Sequence, residues 1–173
     1  MRNQRYQILF VCTGNSCRSP FAEGFLRKML PKELTGRVIV RSAGTSAVEG
    51  GKASDNAITV AKEMGVDLSK HRSQRVNKVL VKEADIILAL ASNHKNYLES
   101  TFPEFRENVF LLKTFDRDRK DPSSSSIPDP LGKDLDFYRK VYTEIGEEIK
   151  RIFPRLIELI KGRLEDKGYL SGK

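Results

Sequence analysis

The chain has 173 residues, 39% of them apolar, and a formal net charge of +8 from 31 Lys and Arg against 23 Asp and Glu. This length favours one domain, spanning 1–173 with a frayed tail from about 163, and no apolar run approaches transmembrane length. The basic residues form no compact run interleaved with aromatics, so we expect neither a nucleic acid nor a membrane as partner. The first strand begins too near Met1 for a secretory signal, and the two cysteines then predict the cytoplasm.

Short apolar strands alternate with helical patterns along the chain. Strands are predicted near 7–11, 37–41, 86–90 and 108–111. Helices are predicted near 20–30, 55–64, 77–82, 92–100 and 134–161, and Pro154 should kink or break the last one. This alternation is typical of an α/β domain with one open, twisted, four-stranded parallel sheet and helices on both faces. Such sheets place ligands at the carboxyl ends of their strands.

The segment Val11-Cys12-Thr13-Gly14-Asn15-Ser16-Cys17-Arg18-Ser19-Pro20 joins the first strand to the first helix. A strand that turns tightly into a helix points successive backbone N–H groups at one place, which suits a phosphate or similar oxyanion. Cys12 would supply a nucleophile, and Arg18 could bind two phosphate oxygens at once. The helix dipole and Arg18 favour the thiolate form of Cys12. The alternative is a structural turn around a buried cysteine.

The remaining residues of this segment suit a rigid phosphate-binding loop. Gly14 permits unusual backbone angles, and Asn15 can adopt a left-handed conformation while its side chain holds the loop. Ser19 is the predicted N-cap and Pro20 the first helical residue. Ser19 could also donate a hydrogen bond to the sulfur of Cys12. The expected phosphate contacts in the loop are Thr13, Gly14, Asn15, Ser16, Cys17 and Ser19.

The motif Cys-x5-Arg-Ser-Pro after the first strand resembles the low-molecular-weight protein tyrosine phosphatases. Three further segments, 41–45, 70–73 and 127–132, extend the resemblance in the same order, over about 5–159 of the chain. The resemblance implies that Ser42 and His71 brace the loop through Asn15. It also implies that Asp129 is the general acid and that Leu131 lies beside the substrate.

Two Asp-Pro pairs, at Asp121 and Asp129, could supply a general acid. Asp129 lies between two prolines that stiffen its backbone, just before the last helix. Asp121 precedes four consecutive serines, 123–126, which predict a mobile stretch. A residue that delivers a proton needs an anchored position, so Asp129 is favoured.

The implied mechanism has two steps and needs neither a metal nor another cofactor. Cys12 attacks phosphorus while Asp129 protonates the leaving group, and water then hydrolyses the phosphocysteine. Arg18 and the loop N–H groups stabilise the equatorial oxygens. The expected partners are phosphorylated proteins, bound by a monomer or weak dimer.

The substrate is left between phosphotyrosine, named first because most of the family acts on it, and phosphoarginine. Typical tyrosine-specific members have a branched aliphatic residue at the position of Ser16 and many have aromatic residues near Leu131. A bacterial branch that acts on phosphoarginine resembles this chain in Cys-Thr-Gly-Asn, in a small hydroxyl residue at Ser16, and in Asp-Pro-x-Gly. A small hydroxyl group leaves room and polarity for a guanidinium.

Two other functions are less compatible with the sequence. An arsenate reductase of this fold would usually have further cysteines, and a silent phosphoprotein-binding module would have lost Cys12, Arg18 or Asp129.

Cys17 either lines the loop as a buried residue or traps an oxidised Cys12 as a disulfide, as the family commonly does. His94, in a polar helix, is predicted to be exposed.

Overall fold

A parallel sheet organises the chain in the computed structural model, which describes residues 5–117 and 125–166. The strands are β1 (Tyr6–Cys12), β2 (Val38–Gly44), β3 (Ile86–Ala89) and β4 (Val109–Leu111). The helices are α1 (Arg18–Met29), α2 (Asp55–Glu63), α3 (Lys78–Glu83), α4 (Ser92–Thr101) and α5 (Leu135–Glu165). Every predicted strand and helix is present, with ends shifted by a few residues.

The sheet has the order β2-β1-β3-β4, and all neighbouring strands are parallel. The register pairs Cys12 with Gly44 and Val11 with Ala89. Because β1 is central and all strands point the same way, the segments that follow β1, β2 and β3 meet at one edge. The predicted α/β class with a four-stranded parallel sheet is confirmed.

Two apolar layers cover the sheet, one on each face. Ile8 and Phe10 of β1 point into a layer that includes residues of α1, α2 and α5. Leu9 and Val11 point into the opposite layer, with residues of α3 and α4. Alternation along β1 therefore buries both faces of the strand, as expected for a central parallel strand.

The long helix α5 runs through Pro154 without a break, so of the kink or break predicted there, the break is wrong. Proline removes one backbone hydrogen bond, which costs about 3 kcal/mol in a helix interior. Burial on both sides of it offsets this cost, because Ile152, Leu156 and Ile160 are fully buried. The tail expected from about 163 is helical as far as Glu165, and 167–173 lie outside the described residues. No helix in the described ranges has the length and apolarity that crossing a membrane requires.

Candidate active site

The loop between β1 and α1 lies at the carboxyl edge of the sheet, and α1 begins earlier than predicted. Arg18 is the first helical residue, and the N-cap position belongs to Cys17, whose side chain makes no capping hydrogen bond. The prediction that Ser19 caps this helix is therefore wrong. Ser19 lies inside the first turn, from which its hydroxyl points at the sulfur of Cys12 rather than at the backbone of α1.

Cys12 ends β1 with its thiol buried against Ser19. The Cys12 Sγ lies 2.9 Å from the Ser19 Oγ, and Asn15 Nδ2 donates to that same oxygen at 2.9 Å. Since the oxygen already accepts a hydrogen bond from Asn15, the hydroxyl proton is left to donate, and the sulfur is nearer than the Ala43 carbonyl oxygen at 3.4 Å. A thiolate at Cys12 would thus receive a hydrogen bond, which stabilises its charge.

Asn15 holds the loop in shape through its side chain. Its φ of 53° is left-handed, which confirms the predicted conformation. Besides Ser19, its Nδ2 donates to Ser42 Oγ at 2.9 Å, and its Oδ1 accepts from the Gln74 N–H at 2.9 Å. The structure thus places Ser42 at the position that the family resemblance implies. Gln74 is a further contact that the sequence did not indicate.

The backbone carbonyl oxygen of Asn15 is held as well. It accepts from His71 Nε2 at 2.7 Å and from Ser73 Oγ at 2.7 Å. Since a carbonyl oxygen can only accept, His71 carries its proton on Nε2. Two donors on one carbonyl oxygen hold this peptide against the 71–73 segment, which restricts the conformation of the loop.

Close backbone approach in this region depends on Gly44 rather than on Gly14. Gly14 does not have a positive φ, and a Cβ built on it would meet Ser16 Oγ at 3.4 Å, an ordinary contact. A Cβ on Gly44 would lie 2.4 Å from the Thr13 carbonyl oxygen and 2.9 Å from the Asn15 nitrogen. The end of β2 therefore packs directly against the loop, which only glycine allows.

Ser42 connects the loop to an ion pair on α1. Its Oγ donates to Glu23 Oε2 at 2.5 Å, and Glu23 pairs with Arg27 at 2.7 Å. Glu23 was not identified from the sequence. The spacing of Glu23 and Arg27, four residues apart on one helix, indicates an ion pair but not its contact with β2.

Arg18 links the loop to the segment that carries Asp129. Its side chain is 6% exposed, and Nη1 donates to the Ile127 carbonyl oxygen at 3.0 Å. Its Nη2 lies 3.4 Å from Asp129 Oδ2, and Asp129 is half exposed. The structure thus brings the predicted cation and the predicted acid to the same side of the loop. Asp121, the alternative acid, lies outside the described residues.

The thiol of Cys17 is buried beside three hydroxyl groups. Its Sγ lies 3.2 Å from Tyr138 Oη, 3.3 Å from Ser54 Oγ and 3.6 Å from Ser16 Oγ. Burial raises the pKa of Tyr138, with a further contribution from its hydrogen bond to Cys17. Tyr142 donates to the Cys17 carbonyl oxygen at 2.7 Å. Both Cys12 and Cys17 are free thiols, and a protective disulfide between them stays a prediction.

The two residues expected to select the substrate lie in two different segments, Ser16 in the phosphate-binding loop and Leu131 two residues after Asp129. Ser16 is partly exposed in the loop, and its carbonyl oxygen accepts from the Ser54 N–H at 3.1 Å. Leu131 is 59% exposed, and its N–H donates to Asp129 Oδ1 at 3.1 Å. Neither side chain is committed to the core, so both are available to a substrate.

His94 was predicted to be exposed, and this prediction is wrong. Its side chain is completely buried, and Nε2 lies 2.7 Å from Thr13 Oγ1. Burial and, to a smaller extent, the charge of Arg18 lower the pKa of His94 to about 4, and the charge of Asp129 partly opposes them. The polar segment around His94 resembles an exposed helix start, but α4 begins directly beyond β3 and presents this residue to the loop.

The comparisons with known proteins cover nearly the whole chain. Residues 7–162 match the family model described as low molecular weight phosphotyrosine protein phosphatase. A protein-arginine-phosphatase of Geobacillus stearothermophilus is 40% identical over 87% of this chain and 96% of its own length. The low molecular weight protein-tyrosine-phosphatase Ptp of Acinetobacter johnsonii is 34% identical over 76% of this chain and 84% of its own length.

Solved structures of phosphatases also superpose on most of this chain. The YwlE arginine phosphatase from Geobacillus stearothermophilus superposes with a TM-score of 0.77 at 39% identity, covering 88% of this chain and 94% of its own. The tyrosine phosphatase Wzb from Escherichia coli K30 in complex with sulphate has a TM-score of 0.76 at 30% identity, covering 87% of this chain and 97% of its own.

Proposed function

This chain belongs to the low molecular weight phosphotyrosine protein phosphatase family, and we propose that it dephosphorylates proteins through a phosphocysteine at Cys12. The observation that carries this proposal is the grouping of three side chains around one loop. The buried Cys12 Sγ lies 2.9 Å from Ser19 Oγ, and Arg18 lies within 3.4 Å of Asp129. Nucleophile, cation and acid then act on one phosphoryl group.

In the first step, the Cys12 thiolate forms a bond to phosphorus as the bond from phosphorus to the substrate atom breaks. Asp129 gives its proton to that departing atom. Arg18 and the loop N–H groups bind the equatorial oxygens, where charge is concentrated in the transition state. The left-handed Asn15 and its hydrogen bonds keep the loop in this shape before the substrate arrives.

In the second step, Asp129 takes a proton from water, and the oxygen of that water forms a bond to phosphorus. The bond between phosphorus and the Cys12 sulfur breaks, which returns the thiolate and releases inorganic phosphate. The Ser19 hydroxyl donates to the departing sulfur, for which it is placed at 2.9 Å. Water can reach the acid because Asp129 is half exposed.

Phosphotyrosine is a candidate substrate, since the family is named for it. Phosphoarginine is the second candidate, and we propose that this chain prefers it. Ser16 presents a small polar side chain in the loop, where a bulky aliphatic group would pack against a flat ring. Leu131 adds no aromatic surface beside the acid. Two relatives, 40% and 35% identical to this chain, are named protein-arginine-phosphatase.

The test compares kcat/KM for two peptides of one sequence that carry either phosphoarginine or phosphotyrosine. We expect the unmodified protein to favour phosphoarginine and Ser16→Ile to shift the ratio toward phosphotyrosine by about 10- to 100-fold. Ser100→Ile, at an exposed position on α4, is the matched control and should leave the ratio unchanged. A ratio that Ser16→Ile does not alter would contradict the proposed preference.

The variant Cys12→Ser tests the phosphocysteine mechanism independently of which substrate the protein prefers. We expect this variant to release no phosphate from either peptide while still binding inorganic phosphate, since Arg18 and the loop N–H groups remain. Normal turnover by Cys12→Ser would exclude the phosphocysteine mechanism for both substrates.

A further inference from the structure

His94 is a buried titratable residue that the mechanism above does not use. It is the third residue of α4, no part of its side chain is exposed, and its Nε2 lies 2.7 Å from Thr13 Oγ1. Its Nδ1 has no hydrogen-bond partner among the described residues. Thr13 directly follows Cys12, so this contact joins α4 to the phosphate-binding loop.

The neighbours of Thr13 determine which atom carries the shared proton. Arg18 Nη2 lies 3.4 Å from the same Thr13 oxygen, and a guanidinium can only donate. If Thr13 donated to Nε2, the proton of the neutral ring would be on Nδ1, buried and without a partner. If Nε2 donates, Nδ1 is left as a bare acceptor, the less costly arrangement, since orphaned buried N–H groups are rare.

Donation from His94 leaves the Thr13 hydroxyl proton without a partner of its own. The oxygen accepts from His94 and from Arg18, so the proton must point away from both nitrogens. The same Arg18 nitrogen lies 3.4 Å from Asp129 Oδ2, which places the Thr13 hydroxyl beside the predicted cation and acid. Burial and Arg18 hold the pKa of His94 at about 4, so the ring is neutral and has one N–H to give.

We propose that His94 is a positioning residue that orients the Thr13 hydroxyl as a hydrogen-bond donor to the phosphoryl group in the loop. This inference rests on the proposed function, because it requires a phosphoryl group beside Arg18. His94 fixes the Thr13 oxygen as an acceptor for Arg18 and directs the remaining proton toward the charge that develops on phosphorus-bound oxygens. Such a donor is preorganised and adds to the N–H groups of the loop.

The test is a double-mutant cycle with the unmodified full chain as reference. Thr13→Val removes the hydroxyl at nearly constant shape, and His94→Leu removes the ring donor. His94→Gln keeps an N–H donor at nearly the same distance from the backbone. For each protein, kcat/KM on an aryl phosphate and the competitive inhibition constant of inorganic phosphate are measured, with circular dichroism to verify folding.

We expect His94→Leu to lower kcat/KM about 10- to 100-fold and to weaken inhibition by phosphate, since a hydrogen bond to a charged group is lost. His94→Gln should recover most of this loss, and His94→Leu should have less than a twofold further effect in the Thr13→Val background. A purely structural role predicts equal losses in both backgrounds and no recovery by glutamine, and either result would overturn the proposal. Absence of phosphate release by the unmodified chain would instead refute the proposed function itself.

Discussion

The phosphate-binding loop (12–19) and the acid segment (127–132) are both needed for the proposed chemistry, but they are held in different ways. In the loop, Asn15 and Ser19 are completely buried, and Asn15 alone makes hydrogen bonds to Ser19, Ser42 and Gln74. In the acid segment, Asp129 is half exposed and Leu131 is 59% exposed. The loop is therefore enclosed and held by hydrogen bonds, whereas Asp129 and Leu131 of the acid segment are exposed to solvent.

The difference follows from what each part has to do. Donors that stabilise charge in a transition state act best when they are already in place and shielded from water. A general acid and base must exchange protons with solvent between the two steps, and it must leave room for the departing group. Arg18 joins the two parts, because one of its nitrogens donates to Ile127 and the other lies near Asp129.

The largest expected effect is in the enclosed part. Arg18→Lys should lower kcat/KM by about 10³-fold, because lysine keeps the charge but loses the two parallel donors that fit phosphate oxygens. Steady-state kinetics on an aryl phosphate measures this loss. Arg106→Lys, the same exchange at an exposed position before β4, should have no effect, and a loss of less than tenfold for Arg18→Lys would argue against a bidentate role.

A smaller effect is expected in the open part. Asp129→Asn should lower kcat by about 10²- to 10³-fold on a substrate with a poor leaving group, because the proton donor is lost. The loss should shrink for a substrate whose leaving group needs no proton. Asp136→Asn, an exposed carboxyl group on α5, is the control. The same loss for all leaving groups would mean that Asp129 is not the acid.

The free energy of unfolding should depend strongly on the hydrogen bonds that Asn15 makes in the loop. Asn15→Ala should lower the free energy of unfolding by about 3 kcal/mol, because buried hydrogen-bond partners lose their contacts and alanine is strained at a φ of 53°. Urea unfolding measures this change. Asn93→Ala, an exposed residue of α4, should change stability by less than about 0.5 kcal/mol. Equal effects of the two substitutions would show that the loop is not held by Asn15.

The smallest expected effect is a pH dependence that comes from the enclosed part. Burial and the charge of Arg18 lower the pKa of His94 from 6.5 to about 4, so between these values the unfolded chain binds the proton that the folded chain excludes. Stability is therefore lost as the pH falls through this window, by about 2 kcal/mol between pH 7 and pH 5. Urea unfolding at both pH values should show this loss in the unmodified chain and not in His94→Gln. An equal loss in both proteins would contradict a buried neutral imidazole.

The errors of the sequence-based prediction have identifiable causes. Ser19 followed by Pro20 is typical of a helix start, yet α1 begins at Arg18, and the Ser19 hydroxyl contacts the Cys12 sulfur instead of capping the helix. Pro154 predicted a kink or a break, yet α5 continues unbroken because Ile152 and Leu156 are buried on either side of it. In both cases, packing overrode a local preference.

The sequence by itself determined the α/β alternation, the spacing of Cys12 and Arg18 around a strand-to-helix turn, and the preference for Asp129 over Asp121, since each depends on residues that are neighbours in the chain. The tertiary structure decided that Ser19 faces the sulfur of Cys12, that Gly44 contacts the loop, and that His94 is buried against Thr13. Thr13 and His94 are 81 positions apart. Their contact depends on the parallel order β1-β3 and on how α4 is rotated against that edge, which no local pattern specifies.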